Sequence, residues 1–187
     1  ADPARSSVLY LDGARDHVEA GAIDDYVLSL NGDVSLSWWA WADSLDDAAW
    51  PNAMLVYGTN DYFTEDEETN YSYWASIESD KTLRAFWEYG SGTNVNVYST
   101  VPAPIALGAW HHLALTRSAA DMEVRFYVDG SMLGDPVAFD TLPTGGGRGM
   151  LYLGSDTTAY VGDSDFHGRL DDICLFNAVL DAAQVGT

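Results

Sequence analysis

Residues 110–130 read WHHLALTRSAADMEVRFYVDG, and the alternation within them decides the class of fold. His111, Leu113, Leu115 and Arg117 fall on one side of an extended chain. Trp110, His112, Ala114 and Thr116 fall on the other, because successive strand residues point to opposite faces. Val124, Phe126 and Val128 alternate in the same way with Arg125 and Tyr127. The polar stretch 118–121 predicts a turn between two antiparallel strands, and Asp129-Gly130 predicts a second turn.

The rest of the chain repeats this pattern. Strand-like runs occur at 7–11, 17–19, 34–42, 53–57, 71–77, 82–89, 95–100, 110–116, 123–128, 149–154 and 168–176, punctuated by Gly, Asp, Asn and Pro. Helical periodicity is confined to about one turn at 181–185. Many short strands without helices predict an all-β fold, a two-sheet antiparallel sandwich or jelly roll. Neither linker nor internal repeat divides the 187 residues, so a single domain over 1–187 is expected. Ala1-Asp2-Pro3 is compatible with an expression scar and is set aside in reasoning about the fold. Gly145-Gly146-Gly147 lacks a following Lys-Ser/Thr pair and reads as a loop rather than a phosphate cradle.

The 47% hydrophobic content is ample for a core. The net charge of −21 is extreme, and Lys81 is the sole lysine. Such a polyanion repels nucleic acid and anionic lipid, which removes both from the expected partners. No apolar run is long enough to span a bilayer, so membrane insertion is not expected. No signal peptide is recognised. Three explanations fit the charge: solvation in salt, calcium ligation by carboxylates, and a basic partner. Cys174 stands alone in an apolar run, which predicts a buried, inert thiol and no disulfide. Asn70-Tyr71-Ser72 forms a glycosylation sequon, a triplet common by chance.

In the run 34–41, Val34, Leu36, Trp38 and Ala40 share one face, and Ser35, Ser37, Trp39 and Trp41 share the other. One face meets the core. The other puts indoles beside small polar groups, as a platform would.

Four segments together resemble the laminin-G-like domains of the concanavalin A-like lectin/glucanase superfamily. Tyr10-Leu11-Asp12-Gly13 with Asp16-His17-Val18-Glu19 resembles the opening strand and hairpin. Residues 34–41 resemble the family's FTISAW strand. Trp110-His111-His112-Leu113-Ala114 with Phe126-Tyr127-Val128-Asp129-Gly130 resembles its WHHVA…YVDG hairpin. Residues 168–180, GRLDDICLFNAVL, resemble its closing GxIDDVRIYNRAL strand. The segments occur in family order and cover nearly the whole chain. The resemblance implies a jelly roll of two curved antiparallel sheets, and it implies no single function.

The resemblance also implies a calcium ion where the opening and closing strands meet. Asp171 maps to the family's ligand, and Asp12 is the second carboxylate expected there. Both residue types also commonly satisfy turn amides instead. For a glycan, aromatic faces stack on sugar C–H groups while polar side chains bond hydroxyls. Trp39, Trp41, Tyr73, Trp87 and Tyr89 are the residues expected to line such a face, with Tyr62, Trp74 and Tyr98 as further candidates. Many jelly-roll aromatics are simply core. The acidic run 61–70, DYFTEDEETN, lacks EF-hand spacing and reads as a solvated loop, and Asp163-Ser164-Asp165 is ambiguous in the same way.

Retaining glucanases of this superfamily carry Glu-x-Asp-x-(x)-Glu on one strand, and no such motif occurs here. His111 and His112 match the family hairpin and are expected to be scaffold. The expected function is a non-catalytic extracellular recognition module, carbohydrate-binding or adhesive, with bound calcium and a glycan or extracellular protein as partner. It would belong to a larger secreted or cell-surface protein. A protein-interaction or spacer domain with structural calcium is the alternative, and a degenerate glycoside hydrolase is a third.

Overall fold

A computed structural model describes residues 7–14, 16–20, 30–45, 52–58, 71–89, 93–144, 150–155 and 164–186. Thirteen strands are seen among them: β1 (Leu9–Asp12), β2 (Val18–Ala20), β3 (Val34–Ala42), β4 (Asn52–Gly58), β5 (Tyr71–Ile77), β6 (Leu83–Tyr89), β7 (Thr93–Tyr98), β8 (Trp110–Ser118), β9 (Glu123–Val128), β10 (Ser131–Met132), β11 (Val137–Ala138), β12 (Met150–Leu153) and β13 (His167–Phe176). One short helix follows, α1 (Ala182–Val185), which starts with a capping box between Asp181 and Gln184.

The strands form two antiparallel sheets. A seven-stranded sheet runs β1-β13-β3-β8-β9-β10, with β11 also paired to β9. A six-stranded sheet runs β2-β12-β4-β5-β6-β7. The expected sandwich is therefore present, and the hairpin 110–130 forms β8 and β9, paired from Leu113↔Val128 to Ser118↔Glu123. The two-residue strands β10 and β11 lay below the resolution of the sequence pattern.

Alternation explains what each sheet buries. Val34, Leu36, Trp38 and Ala40 of β3 face the core, as do Leu113 and Leu115 of β8. From the other sheet come Tyr57, Tyr73, Ala75, Ala85, Trp87 and Val97. β13 breaks step once. Between Asp171 and Cys174 it spends three residues against two of β3, since Asp171 pairs with Trp39 and Cys174 with Ser37. Asp172, with φ at 47°, is the residue that makes the bulge. The shift turns Ile173 and Leu175 toward the core and Cys174 outward. The thiol expected to be buried is exposed, because the bulge reverses the parity of the strand after Asp171. At Gly168 an added Cβ would sit 2.0 Å from the carbonyl oxygen of Trp41, so only glycine lets β13 approach β3 there.

Arg117 is the polar exception in this core. It occupies an inward position on β8 and is 1% exposed. Its guanidinium donates to the carbonyls of Gly32 at 3.1 Å, Ser72 at 2.9 Å and Leu30. It also lies over the Trp87 ring, 5.0 Å from the centroid. Burial pulls its pKa down to about 9, against the opposing pull of Asp33 and Tyr73, and it stays charged at neutral pH. Ser72 belongs to β5 of the opposite sheet, so this one side chain ties the two sheets together.

Replacing Arg117 with alanine leaves three carbonyls, the buried one of Ser72 among them, without this donor and opens a cavity beside Trp87. A loss of about 3–5 kcal/mol of unfolding free energy is expected. Urea denaturation at pH 7 measures it, and a loss below about 1 kcal/mol would show that the inter-sheet bridge is dispensable.

Candidate functional site

The outer side of the six-stranded sheet carries the residues whose strand neighbours fill the core, and there Ala53, Val56, Trp74, Phe86 and Tyr152 form a second, buried apolar cluster. Cross-strand pairing sets one row across all six strands: Glu19, Tyr152, Val56, Trp74, Phe86 and Asn96. A second row runs Ala53, Ser76, Arg84 and Tyr98. Trp74 and Phe86 meet edge to face, with ring centroids 5.3 Å apart.

Arg84 lies across this surface. Its guanidinium carbon is 5.5 Å from the Trp74 centroid, 4.9 Å from Phe86 and 6.0 Å from Tyr98. Asn96 Oδ1 accepts from Nε at 2.8 Å and from Nη2 at 2.6 Å. These contacts hold the guanidinium against the rings. Among the described residues Nη1 has no hydrogen-bond partner, so one edge of the fork is open to a ligand. Burial lowers the Arg84 pKa, while Tyr98 and Glu78 act to raise it. The nearby Glu78 carboxyl is pushed up by burial, against the lowering effect of Arg84.

Beside Arg84 in the second row, the Ser76 hydroxyl is buried and has no hydrogen-bond partner among the described residues. Tyr98 is 44% exposed at the edge of the row. A cation, an exposed ring, an amide and a hydroxyl thus share one face. The chemistry on offer is polar recognition combined with stacking.

The outer face of the seven-stranded sheet carries a different set. Its rows are Tyr10–Arg169–Trp41–Trp110 and Asp171–Trp39–His112. Arg169 is sandwiched 5.2 Å from the Tyr10 ring and 5.3 Å from Trp41. It pairs with Asp43 at 3.2 Å, and Asp43 also accepts from Trp41 Nε1 at 2.9 Å. His111 donates from Nδ1 to Asp129 Oδ2 at 2.8 Å, while its Nε2 accepts from the Ala106 N–H at 3.0 Å. His112 gives its backbone N–H to Asp129 Oδ1 at 2.9 Å. Both histidines brace the hairpin, as scaffold residues would.

The five aromatic residues expected to form one face are divided among three environments. Trp39 and Trp41 lie half-buried on the outside of the seven-stranded sheet. Tyr73 and Trp87 lie in the core, 2% and 1% exposed. Tyr73 stacks on Tyr57 at 5.4 Å, and burial drives its phenol pKa up. Trp87 donates to the Thr141 carbonyl at 2.8 Å and meets Phe139 edge-on. Tyr89 ends the inward row of β6, half-buried. The reading was displaced by one residue on β5 and β6, since Trp74, Arg84 and Phe86 face outward and their neighbours face in. Trp74 and Tyr98, the further candidates, do belong to the outward face. Arg84 and Asn96 were missed, and their alternation with Ala85 and Val97 was the signal available. Tyr62 and the run 61–70 lie outside the described residues, as do Asn70 and Asp163.

Asp12 and Asp171 do not come together. Asp12 pairs with His167, four residues before Asp171 on the same strand, which separates the two by about 13 Å. Asp12 Oδ1 accepts from the Ala14 N–H at 2.8 Å, and Asp171 Oδ1 from the Asp172 N–H at 3.0 Å. Each serves its own turn. Among the described residues no group of three or more His, Cys, Asp or Glu side chains is placed to hold a metal. The pair therefore does not fit a shared calcium ion.

A laminin-G-type family model, described as the concanavalin A-like lectin/glucanases superfamily, matches residues 9–186. Comparison with the curated proteins finds no significant match. Among solved structures, domain 4 of AbnA, a GH43 extracellular arabinanase from Geobacillus stearothermophilus in complex with arabinotriose, is similar with a TM-score of 0.67 and 19% identity over 100% of this chain and 78% of that one. The CBM40 of the Ruminococcus gnavus IT-sialidase, bound to α2,3 sialyllactose, gives 0.66 and 10%, covering 92% and 95%. The native heptameric SAP-like pentraxin of Limulus polyphemus gives 0.56 and 16%, covering 83% and 68%. At these identities the likeness is one of fold.

The separation of the two aspartates predicts that Asp12→Asn and Asp171→Asn, singly or together, leave any calcium-dependent shift of the thermal midpoint unchanged. Melts with millimolar calcium and with chelator check this, and loss of the same calcium shift in each single variant would restore the pair.

Proposed function

This chain belongs to the concanavalin A-like lectin/glucanases superfamily, and from that premise we propose that it is a non-catalytic carbohydrate-binding module whose ligand meets Arg84, Asn96 and Tyr98 on the outer side of the six-stranded sheet. The observation that carries this reading is Arg84, held against Trp74 and Phe86 by Asn96, beside the exposed Tyr98 ring. Sugars present C–H-rich faces and hydroxyl edges together. Tyr98 supplies the stacking surface, and Arg84 Nη1 and the Asn96 amide supply hydrogen bonds to hydroxyls. Rigid preorganisation limits the entropy lost on binding.

The net charge of −21 selects the class of sugar. A strongly negative field repels acidic glycans, so a neutral oligosaccharide is the ligand proposed. Arabino-oligosaccharides are the first probes, since a domain of the same fold is complexed with arabinotriose. The role is binding alone. This rests on the missing strand motif of paired acids, which retaining hydrolysis places on one face. Extracellular placement belongs to the same proposal, because a free polysaccharide ligand is met outside the cell. No helix among the described residues is long and apolar enough to cross a membrane.

Titration calorimetry against neutral oligosaccharides tests the reading. Arg84→Ala and Tyr98→Ala should each weaken binding at least about tenfold, the scale of a hydrogen bond to a charged donor. Trp39→Ala, on the opposite sheet, should leave it unchanged. Failure of every neutral glycan to bind the folded protein, or wild-type affinity in Arg84→Ala, would overturn the proposal.

A further inference from the structure

A pocket of about 260 Å³ opens on the outer face of the seven-stranded sheet, away from Arg84. Trp39, His112, Asp129, Gly130, Val185 and Gly186 line it. We propose that it receives the ammonium end of a lysine side chain presented by a basic protein partner.

The pocket has a charged end and an aromatic wall. Asp129 supplies the charge, with its side chain 51% exposed. Its neighbour does not neutralise it. His111 Nε2 accepts from the Ala106 N–H, so the ring carries its proton on Nδ1 and is the neutral tautomer. Asp129 therefore keeps its full negative charge. Trp39 supplies the wall, its ring tilted against His112 with centroids 5.4 Å apart. His112 is itself positioned by Ser37 Oγ, 2.8 Å from Nε2. A cation between an indole face and a carboxylate is attracted by both. Asp171 sits opposite Trp39 in the same row and adds a second acid to the surroundings.

The carboxylate contacts choose lysine over arginine. Each oxygen of Asp129 already accepts one bond, Oδ1 from the His112 N–H and Oδ2 from His111. A guanidinium fork needs both oxygens in one plane facing it. An ammonium is a point charge that approaches a single remaining lone pair. The rest of the wall suits a slim methylene stem: Val185 is apolar, and Gly130 and Gly186 bring no side chain. That wall is prebuilt. The capping box fixes α1, and an added Cβ on Gly130 would already stand 3.2 Å from Gly186 Cα. The field of a chain with net charge −21 draws basic partners to it.

The test follows the Trp39 indole N–H by two-dimensional NMR while Nα-acetyl-lysine methylamide is added. The norleucine and arginine analogues, and a peptide with one accessible lysine, are added in parallel. The lysine derivative and the peptide should both shift the Trp39 signal saturably. The norleucine and arginine analogues should bind at least tenfold more weakly, and raising salt from 20 to about 500 mM should weaken the lysine response. Asp129→Asn should reduce lysine binding at least tenfold. Asparagine suits the φ of 50° at this position and its Oδ1 still accepts from the His112 N–H, at the cost of the bond to His111, so the fold of this variant is checked by its thermal melt. Should that variant melt early, Trp39→Leu removes the aromatic face alone, and the backbone amides of Gly130 and Gly186, which also line the pocket, should report the same loss. Arg84→Ala should bind lysine normally, which separates this pocket from the glycan face. Equal binding of the norleucine analogue, or undiminished binding in folded Asp129→Asn, would overturn the proposal. So would binding of the small derivative without the peptide.

Discussion

The buried guanidinium of Arg117 sets the relation between the two sheets. Apolar surfaces attract without direction, so two greasy sheets alone leave their relative shift poorly defined. A charge enclosed in such a core is tolerated only where its donors are met. Arg117 reaches from β8 to carbonyls at Leu30, Gly32 and Ser72, and sliding either sheet would break those bonds. Ser72 lies two residues from Trp74 on the same strand. The bridge that aligns the sheets therefore also fixes the height of Trp74, and with it that of Arg84 above it.

Arginine on aromatic rings recurs through the molecule. Arg117 rests on Trp87, Arg84 on Trp74 and Phe86, and Arg169 between Tyr10 and Trp41. The chain has 8 basic residues against 29 acidic ones. In so acidic a protein, a free arginine on the surface would pair with any passing carboxylate. Seating these three on rings orients them, and leaves acids elsewhere to solvent. Asp129 is the counterpart on the acidic side, held by two hairpin donors without being neutralised.

Strand positions were legible in the sequence because alternation with a period of two is a local signal. Residues 34–42, 71–77 and 123–128 are strands at the expected bounds. The facing of each strand was less legible where large rings adjoin. Tyr73 and Trp74, or Phe86 and Trp87, satisfy either parity equally well. What decides is non-local: Tyr57 lies ready to stack on Tyr73, and Thr141 to accept from Trp87. On β3 the serines between indoles removed the ambiguity, and Trp38 faces in while Trp39 and Trp41 face out. A single extra residue in β13 was invisible to the pattern, and it turned Cys174 to the surface. The Asp12–Asp171 pair failed for another reason. The adjacency of β1 and β13 was expected correctly, but adjacency says nothing about register, and four residues of offset separate the carboxylates.

The Ser35 hydroxyl donates to the Ala178 carbonyl at 2.6 Å and accepts from the Leu180 N–H at 3.0 Å. Beyond it, Leu180 and Val185 pack on Ala114 and Tyr127 of the seven-stranded sheet. The last described residues are thus moored to the side of the molecule opposite Arg84. Any tether attached there would leave from the back. A copy fixed to a surface through that end would hold its Arg84 face outward. Force along the tether would load Ser35 and the back sheet, leaving the Arg84 face undistorted.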